Sequence, residues 1–289
     1  MKVFFDVFVV LFVAFGLLIY SGWGLTVWLT PKKFQSWFYV LLPFLGLFLI
    51  DSVTHLTLYA NIPGYRAIWI FLVVATLVNV STIILKRSKY RRPNRFEVFA
   101  FLAATPALIL ALAPMLTQNE LLPLVTSSNA DPISHTATTD WLRQRPFSDE
   151  ILQNPTLPVN VPIQGKVKSD VRLGFHFFQM FVDALTRKQA FATFSIVTAI
   201  SFYLWSLATG FFAGGVLRLK KASVLLSILL FSLNSLPLWI AFGGYGPQIL
   251  GMGLMIMSFA WWAIALQEFK WRNIILAAAF SAAFAGIYS

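Results

Sequence analysis

Apolar residues run along this chain in long unbroken stretches, and polar residues gather in several short interruptions and one long one. The apolar runs cover residues 3–29, 37–50, 67–85, 98–116, 190–216, 223–242, 247–266 and 273–288. A helix of about 20 apolar residues matches the hydrocarbon thickness of a bilayer, and helices satisfy their own backbone there, so the pattern predicts eight transmembrane helices. Pro106 and Pro114 are expected to kink or end the fourth. The long interruption predicts an external segment at 117–189, between four spans in 1–116 and four in 190–289. The fold class is therefore all-α, a polytopic membrane helix bundle with one long external segment that contains short helices. The last run closes at AGIYS with no polar tail, which sets the expectation that the natural chain continues.

Composition and charge sharpen this picture. Of 289 residues, 58% are hydrophobic and 11% charged, less than half the charged share of about 25% usual in soluble domains. The net charge of +11 is spread over short clusters between apolar runs, KRSKYRRPNR being the densest, and no amphipathic face collects it. That is the pattern of cytoplasmic loops, so the charge reports topology and argues against nucleic acid as a partner. With KRSKYRRPNR inside, alternation also puts Lys32, Lys33, the RLKK loop and the KWR loop inside. Thirteen of the 22 basic residues then face the cytoplasm and nine of the eleven acidic residues face away from it. On this reading the chain crosses the plasma membrane many times, with 117–189 and all three His on the extracytoplasmic side. Lys2 is offset by Asp6 and no small-residue cleavage site follows, so the first run reads as a retained span. The absence of cysteine removes disulfides, thiolate ligands and a Cys nucleophile.

Candidate chemistry collects near the external segment. Asp131 followed by Pro132 is a helix-start signal, and the next residues to about Arg143 put Ile133, Ala137 and Trp141 on one stripe. Asp131 either caps that helix or serves as a general base, with His135 one turn along the same face. Asp51 and His55 repeat the i, i+4 arrangement at the end of the second span, where they either sit among headgroups or line a cavity. His176, Gln179 and Asp183 share one face of an otherwise apolar helix from about Leu173 to Leu185. Such a stripe faces either interhelical partners or a substrate. Arg172, with Lys166 and Lys168, is a candidate to hold an anionic phosphate. The carboxylate and imidazole set would also suit a divalent cation, although no compact ligand motif fixes one and no metal ligand is assigned. The Pro-rich stretch 145–168 reads as an irregular arm, and GGYGPQILGMG as a tight turn entering a closely packed span.

Three stretches together, DPISHTATTDWL after a span, RLGFHFFQMFVDALT leading into the next, and YGPQILGMGLMIM with FAGIY later, resemble the GT-C superfamily of multispan membrane glycosyltransferases. The likeness covers roughly residues 97–289. It implies transfer of a sugar from a polyprenyl-phosphate-linked donor, with Asp131 as the loop carboxylate acting as base, Asp140 as a second candidate, and the lipid-linked donor and the bilayer as partners. Arg172 or a neighbouring Lys would steady the leaving phosphate. Two features depart from the family pattern: four spans precede the loop, and Asp131 stands between Ala130 and Pro132 instead of in an acidic pair. Two other classes of function fit the same architecture. A transporter or flippase of a lipid-linked or polar solute would want ionisable groups at mid-membrane and broken helices in both halves. A non-catalytic membrane subunit would use Trp141, Phe147 and the Pro-rich arm as contacts.

Overall fold

The computed structural model describes residues 2–86, 92–121, 131–151, 160–169 and 173–288, and those residues form helices without a strand. Seven helices are long and apolar enough to cross a membrane: α1 (Lys2–Leu29), α2 (Phe38–Tyr59), α3 (Gly64–Lys86), α4 (Arg95–Gln118), α8 (Ala190–Phe211), α11 (Gly246–Gln267) and α12 (Trp271–Tyr288). An eighth crossing is made by α9 (Lys221–Ser232) and α10 (Ser235–Phe242) if that pair, bent by 42°, is taken as one span. Three shorter helices, α5 (Asp131–Gln144), α6 (Asn160–Ser169) and α7 (Gly174–Thr186), stand between α4 and α8. The protein is a multi-pass membrane protein of all-α class.

The spans divide by how much of their surface the protein itself covers. The most apolar windows of α2 and α8 are 78% and 83% buried, against 28% for α1, α3 and α4, so α2 and α8 form the centre and the other three face lipid. Phe4, Phe5, Phe8 and Phe12 on α1, and Trp69, Val73 and Leu77 on α3, are accordingly exposed large apolar side chains. A soluble protein would hide such a surface, whereas hydrocarbon solvates it at no cost. Between helices in lipid there is little hydrophobic drive, so close packing and interhelical hydrogen bonds have to hold them. Helices α1 and α3 show both. Asn79 accepts from the Gly24 backbone at 3.0 Å and donates to Tyr20 O at 2.9 Å, while Thr82 accepts from Trp28 Nε1 at 2.9 Å. Helices α1 and α2 rely on glycine instead: a Cβ on Gly22 would overlap the Leu42 carbonyl, and one on Gly46 the Leu18 carbonyl.

Local signals explain the helix ends nearest the basic loops. Asn94 accepts from Glu97 N at 2.9 Å and Glu97 Oε2 accepts from Asn94 N at 2.9 Å, a reciprocal cap for α4. The other Glu97 oxygen accepts from Tyr39 N at 3.0 Å, which ties the start of α4 to the start of α2 and satisfies a fully buried carboxylate. Above it Phe34, Trp37, Phe211 and Trp261 interlock edge to face and face to face, closing that end of the bundle.

Three expectations differ from the structure. Helix α4 continues through Pro106 and Pro114 without ending; proline is tolerated where neighbouring groups take over the freed carbonyls. Part of the Pro-rich arm is the helix α6, while 152–159 lie outside the described residues. Helix α7 belongs inside the bundle: Gly174 through Asp183 are all buried, packed against α1, α2, α3, α5, α8, α11 and α12. Its 13 residues rise about 20 Å, too short to span.

The glycine contacts of α1 and α2 yield a direct test. Gly46→Val is expected to lower the melting temperature in detergent by ten degrees or so, since the backbone has to separate by about the width of a methyl group. Gly16→Ala, with nothing near its added Cβ, is expected to leave it unchanged.

Candidate functional site

Helix α7 carries the polar stripe His176, Gln179 and Asp183 on a helix whose remaining residues are largely Phe, Met and Val, and all three polar side chains are fully buried. Each must be satisfied by a neighbour, because an unmet buried polar group costs about 1–3 kcal/mol. Helix α5 meets the first half of the stripe. His135 Nδ1 lies 3.3 Å from His176 Nε2, and Thr139 Oγ1 lies 3.0 Å from His176 Nδ1 and 3.1 Å from Gln179 Oε1. The start of α8 meets the second half. Gln179 Nε2 donates to Ala190 O at 2.7 Å and to Thr193 Oγ1 at 3.2 Å, and Thr193 donates to Asp183 Oδ1.

Donor counting fixes two of these bonds. Lys166 Nζ, from α6, stands 2.8 Å from His135 Nδ1 and donates also to Ser134 Oγ at 2.8 Å. An ammonium only donates, so His135 Nδ1 accepts from Lys166, and a carbonyl oxygen only accepts, so the Thr139 hydroxyl donates to Gln179 Oε1. The imidazole of His176 is neutral. Burial holds its pKa well below the ordinary value, and the nearby His135 and Lys166 push it the same way. At Asp183 burial raises the carboxyl to about 8; the Thr193 bond and Arg143 oppose this, and Asp140 adds to it. Asp183 Oδ2 is buried without a hydrogen-bond partner among the described residues. Asp140 is also raised by burial, against Arg143 and a hydrogen bond from the Ala190 backbone.

Beside Asp183 opens a cleft of about 630 Å³ between α3, the end of α5 and the end of α7. Ile68, Trp69 and Leu72 supply an apolar wall, and Arg143, Arg187 and Lys188 a cationic one. Arg143 is held 3.0 Å from Asp140 and donates to Lys188 O at 3.1 Å, while Lys188 pairs with Asp6 of α1 at 2.8 Å. Arg187 is exposed and makes no ion pair among the described residues. Its backbone is left-handed, φ 55° and ψ 33°, closing α7 as the residue whose N–H returns to Asp183 O. Glycine is the usual occupant of that position.

The predicted site residues therefore separate into three places. His135, His176, Gln179 and Asp183 come together in one network. Asp51 and His55 form a second cluster on the other side of α7, with His55 Nδ1 3.3 Å from Asp51 Oδ1 and its ring edge-on to Phe177 at 4.6 Å. Asp131 is the exposed first residue of α5, and the following Pro132 rests on Gly244 of the turn before α11. Arg172 lies outside the described residues, as does the side chain of Lys168. No group of three His, Asp or Glu side chains among the described residues could hold a divalent cation, and at the His135–His176 pair Lys166 occupies the direction a cation would take. Thr139, Thr193, Arg143, Arg187 and Lys188 were not singled out from the sequence. Thr139 follows His135 by four, which was a usable signal; Thr193 and the cleft cations carried none.

Comparison with family models, with curated proteins and with solved structures yields no match to this chain.

The raised Asp183 carboxyl sets a sign for stability against pH. Its proton is held more tightly in the folded than in the unfolded chain, so its contribution is complete below the ordinary value of 3.8 and is lost as pH rises through about 8. Asp183→Asn cannot ionise and keeps an acceptor for Thr193. In detergent the wild type is expected to lose several degrees of melting temperature relative to this variant between about pH 5 and about pH 9. Parallel curves across that range would show that Asp183 does not titrate there.

Proposed function

We propose that this protein is a membrane glycosyltransferase that takes a polyprenyl-phosphate-linked sugar at the face of the plasma membrane away from the cytoplasm. The observation that carries the reading is the cleft of about 630 Å³, which offers an apolar wall from α3 and a cationic wall from Arg143, Arg187 and Lys188. An isoprenoid chain suits the first and its phosphate the second, with Arg143 and Arg187 as donors to the phosphate oxygens. The placement of 117–189 on the far side rests on the basic loops, which carry most of the Lys and Arg.

This reading moves the base along α5. Asp131 and Arg143 are twelve residues apart on one helix, about 18 Å at helical rise, which is too far for a carboxylate to act on a hydroxyl attacking a sugar whose phosphate Arg143 holds. Asp140 is one turn from Arg143 and 3.0 Å from its guanidinium. In the proposed reaction Asp140 takes the proton of the acceptor hydroxyl, the hydroxyl oxygen bonds to the anomeric carbon, and the bond to the phosphate oxygen breaks with the lipid phosphate leaving. Asp131 keeps the role of starting α5. The 42° break between α9 and α10 favours transport instead, but neither helix lines the cleft.

Two measurements test the proposal on protein in nanodiscs. Arg187→Gly relieves a left-handed backbone and is expected to hold or raise the melting temperature, by up to about 1 kcal/mol of stability, while weakening binding of an isoprenyl monophosphate at least tenfold. For transfer, Asp140→Asn is expected to abolish release of the lipid phosphate and Asp131→Asn to leave it. The reverse pattern would return the base to Asp131 and sink the cleft as the donor site.

A further inference from the structure

We infer that anion binding in the cleft between α3, α5 and α7 is proton-linked, and that a lipid phosphodiester enters only when the carboxyl of Asp183 in the cleft wall carries a proton. The inference rests on the donor site proposed above and adds a property that a lipid-phosphate site need not have.

The argument is a count of charges around one buried group. From α5, Arg143 faces the cleft with Asp140 3.0 Å from it, so this pair is neutral. From the end of α7, Lys188 is matched by Asp6 of α1 at 2.8 Å. From α8, the neighbour is the Thr193 hydroxyl, which is uncharged and donates to Asp183 Oδ1. From α3, Tyr65 lines the cleft with its phenol, and two turns back on α7 burial keeps His176 neutral. Lys166 of α6 meets the network at His135, two turns from Asp183. That leaves Arg187 as the one cation without an ion-pair partner among the described residues that line the cleft, and Asp183 as the one carboxyl able to cancel it. With Asp183 protonated the cleft is positive by one charge; with Asp183 ionised it is neutral.

The position of Asp183 makes that difference count. It exposes no surface, and its Oδ2 has no hydrogen-bond partner among the described residues. A charge on so deeply buried a group acts on an anion in the cleft more strongly than it would across bulk water. Burial places the free carboxyl near 8, so a bound anion raises it further and the site takes up a proton on binding. Linkage then makes affinity constant well below about pH 8 and weaker by up to tenfold for each unit above it.

The test uses the full chain in nanodiscs of zwitterionic lipid, with a sugar-bearing isoprenyl phosphodiester as probe. A phosphodiester carries one negative charge throughout the range, so any pH dependence belongs to the protein. Affinity is expected to fall by roughly thirtyfold between about pH 6.5 and about pH 9.5, and binding near pH 8 to take up a fraction of a proton from a weakly buffered solution. Asp183→Asn is expected to bind with an affinity independent of pH. Wild-type affinity that stays flat, with no proton taken up, would overturn the linkage while leaving the donor site standing. Absence of binding at every pH would overturn both. Inorganic phosphate as competitor separates the sources: no displacement at equal concentration assigns recognition to lipid and phosphate together, and full displacement removes the lipid from the proposal.

Discussion

Helix α7 is enclosed on every side, and the position of each nearby element follows from how its polar stripe is satisfied. A helix at the surface can turn His176, Gln179 and Asp183 to water; one enclosed by seven others has to receive their partners from protein. Thr139 and His135 come from α5, and Thr193 with the Ala190 carbonyl from the start of α8. These bonds fix where α5 lies alongside α7, and the placement of α5 decides what its last turn can reach. Arg143 stands at the end of α7 because Thr139, one turn earlier, is bound to the middle of it.

The opposite face of α7 is fixed by a different device. Asp51 of α2 reaches between Gly174 of α7 and Gly286 of α12, at both of which a Cβ would overlap its carboxyl. The carboxylate therefore sits where three helices converge, and Phe177, one turn beyond Gly174, closes on the His55 ring. The i, i+4 pair of Asp and His at this span end thus stands at the packing seam of α2, α7 and α12. Such a pair marks where α7 is locked, and the side of α7 facing α5 and α8 is left to carry the chemistry.

Much of this was legible in the sequence, for reasons that differ between elements. The spans are plain because a bilayer forces every backbone group into a helix and every outward side chain to be apolar. The start of α5 at Asp131 and the extent of α7 were readable from the Asp-Pro signal and from the stripe at 176, 179 and 183, each within a residue or so. That α7 lies inside was not, since a short helix of Phe, Val and Met with one polar stripe has the same pattern on a membrane surface or under a lid. The cleft was invisible for a simpler reason. Its walls come from residues 65–72, 143–144 and 183–189, and nothing local says that these segments meet.

Whether the cleft cations are functional turns on what else they do. Helices α5 and α7 both end there, and two carboxyl-terminal ends carry partial negative charge that cations commonly offset. Arg143 does that work: it binds the Lys188 carbonyl and is neutralised by Asp140. Lys188 is neutralised by Asp6 and ties α7 to α1. Both would be retained in a protein that bound nothing. Arg187 is the exception, because it closes α7 in a left-handed conformation that glycine adopts with less strain and extends its charge to solvent. Glycine there would close α7 equally well, so what arginine adds at that position is its charge, which stands in the cleft wall.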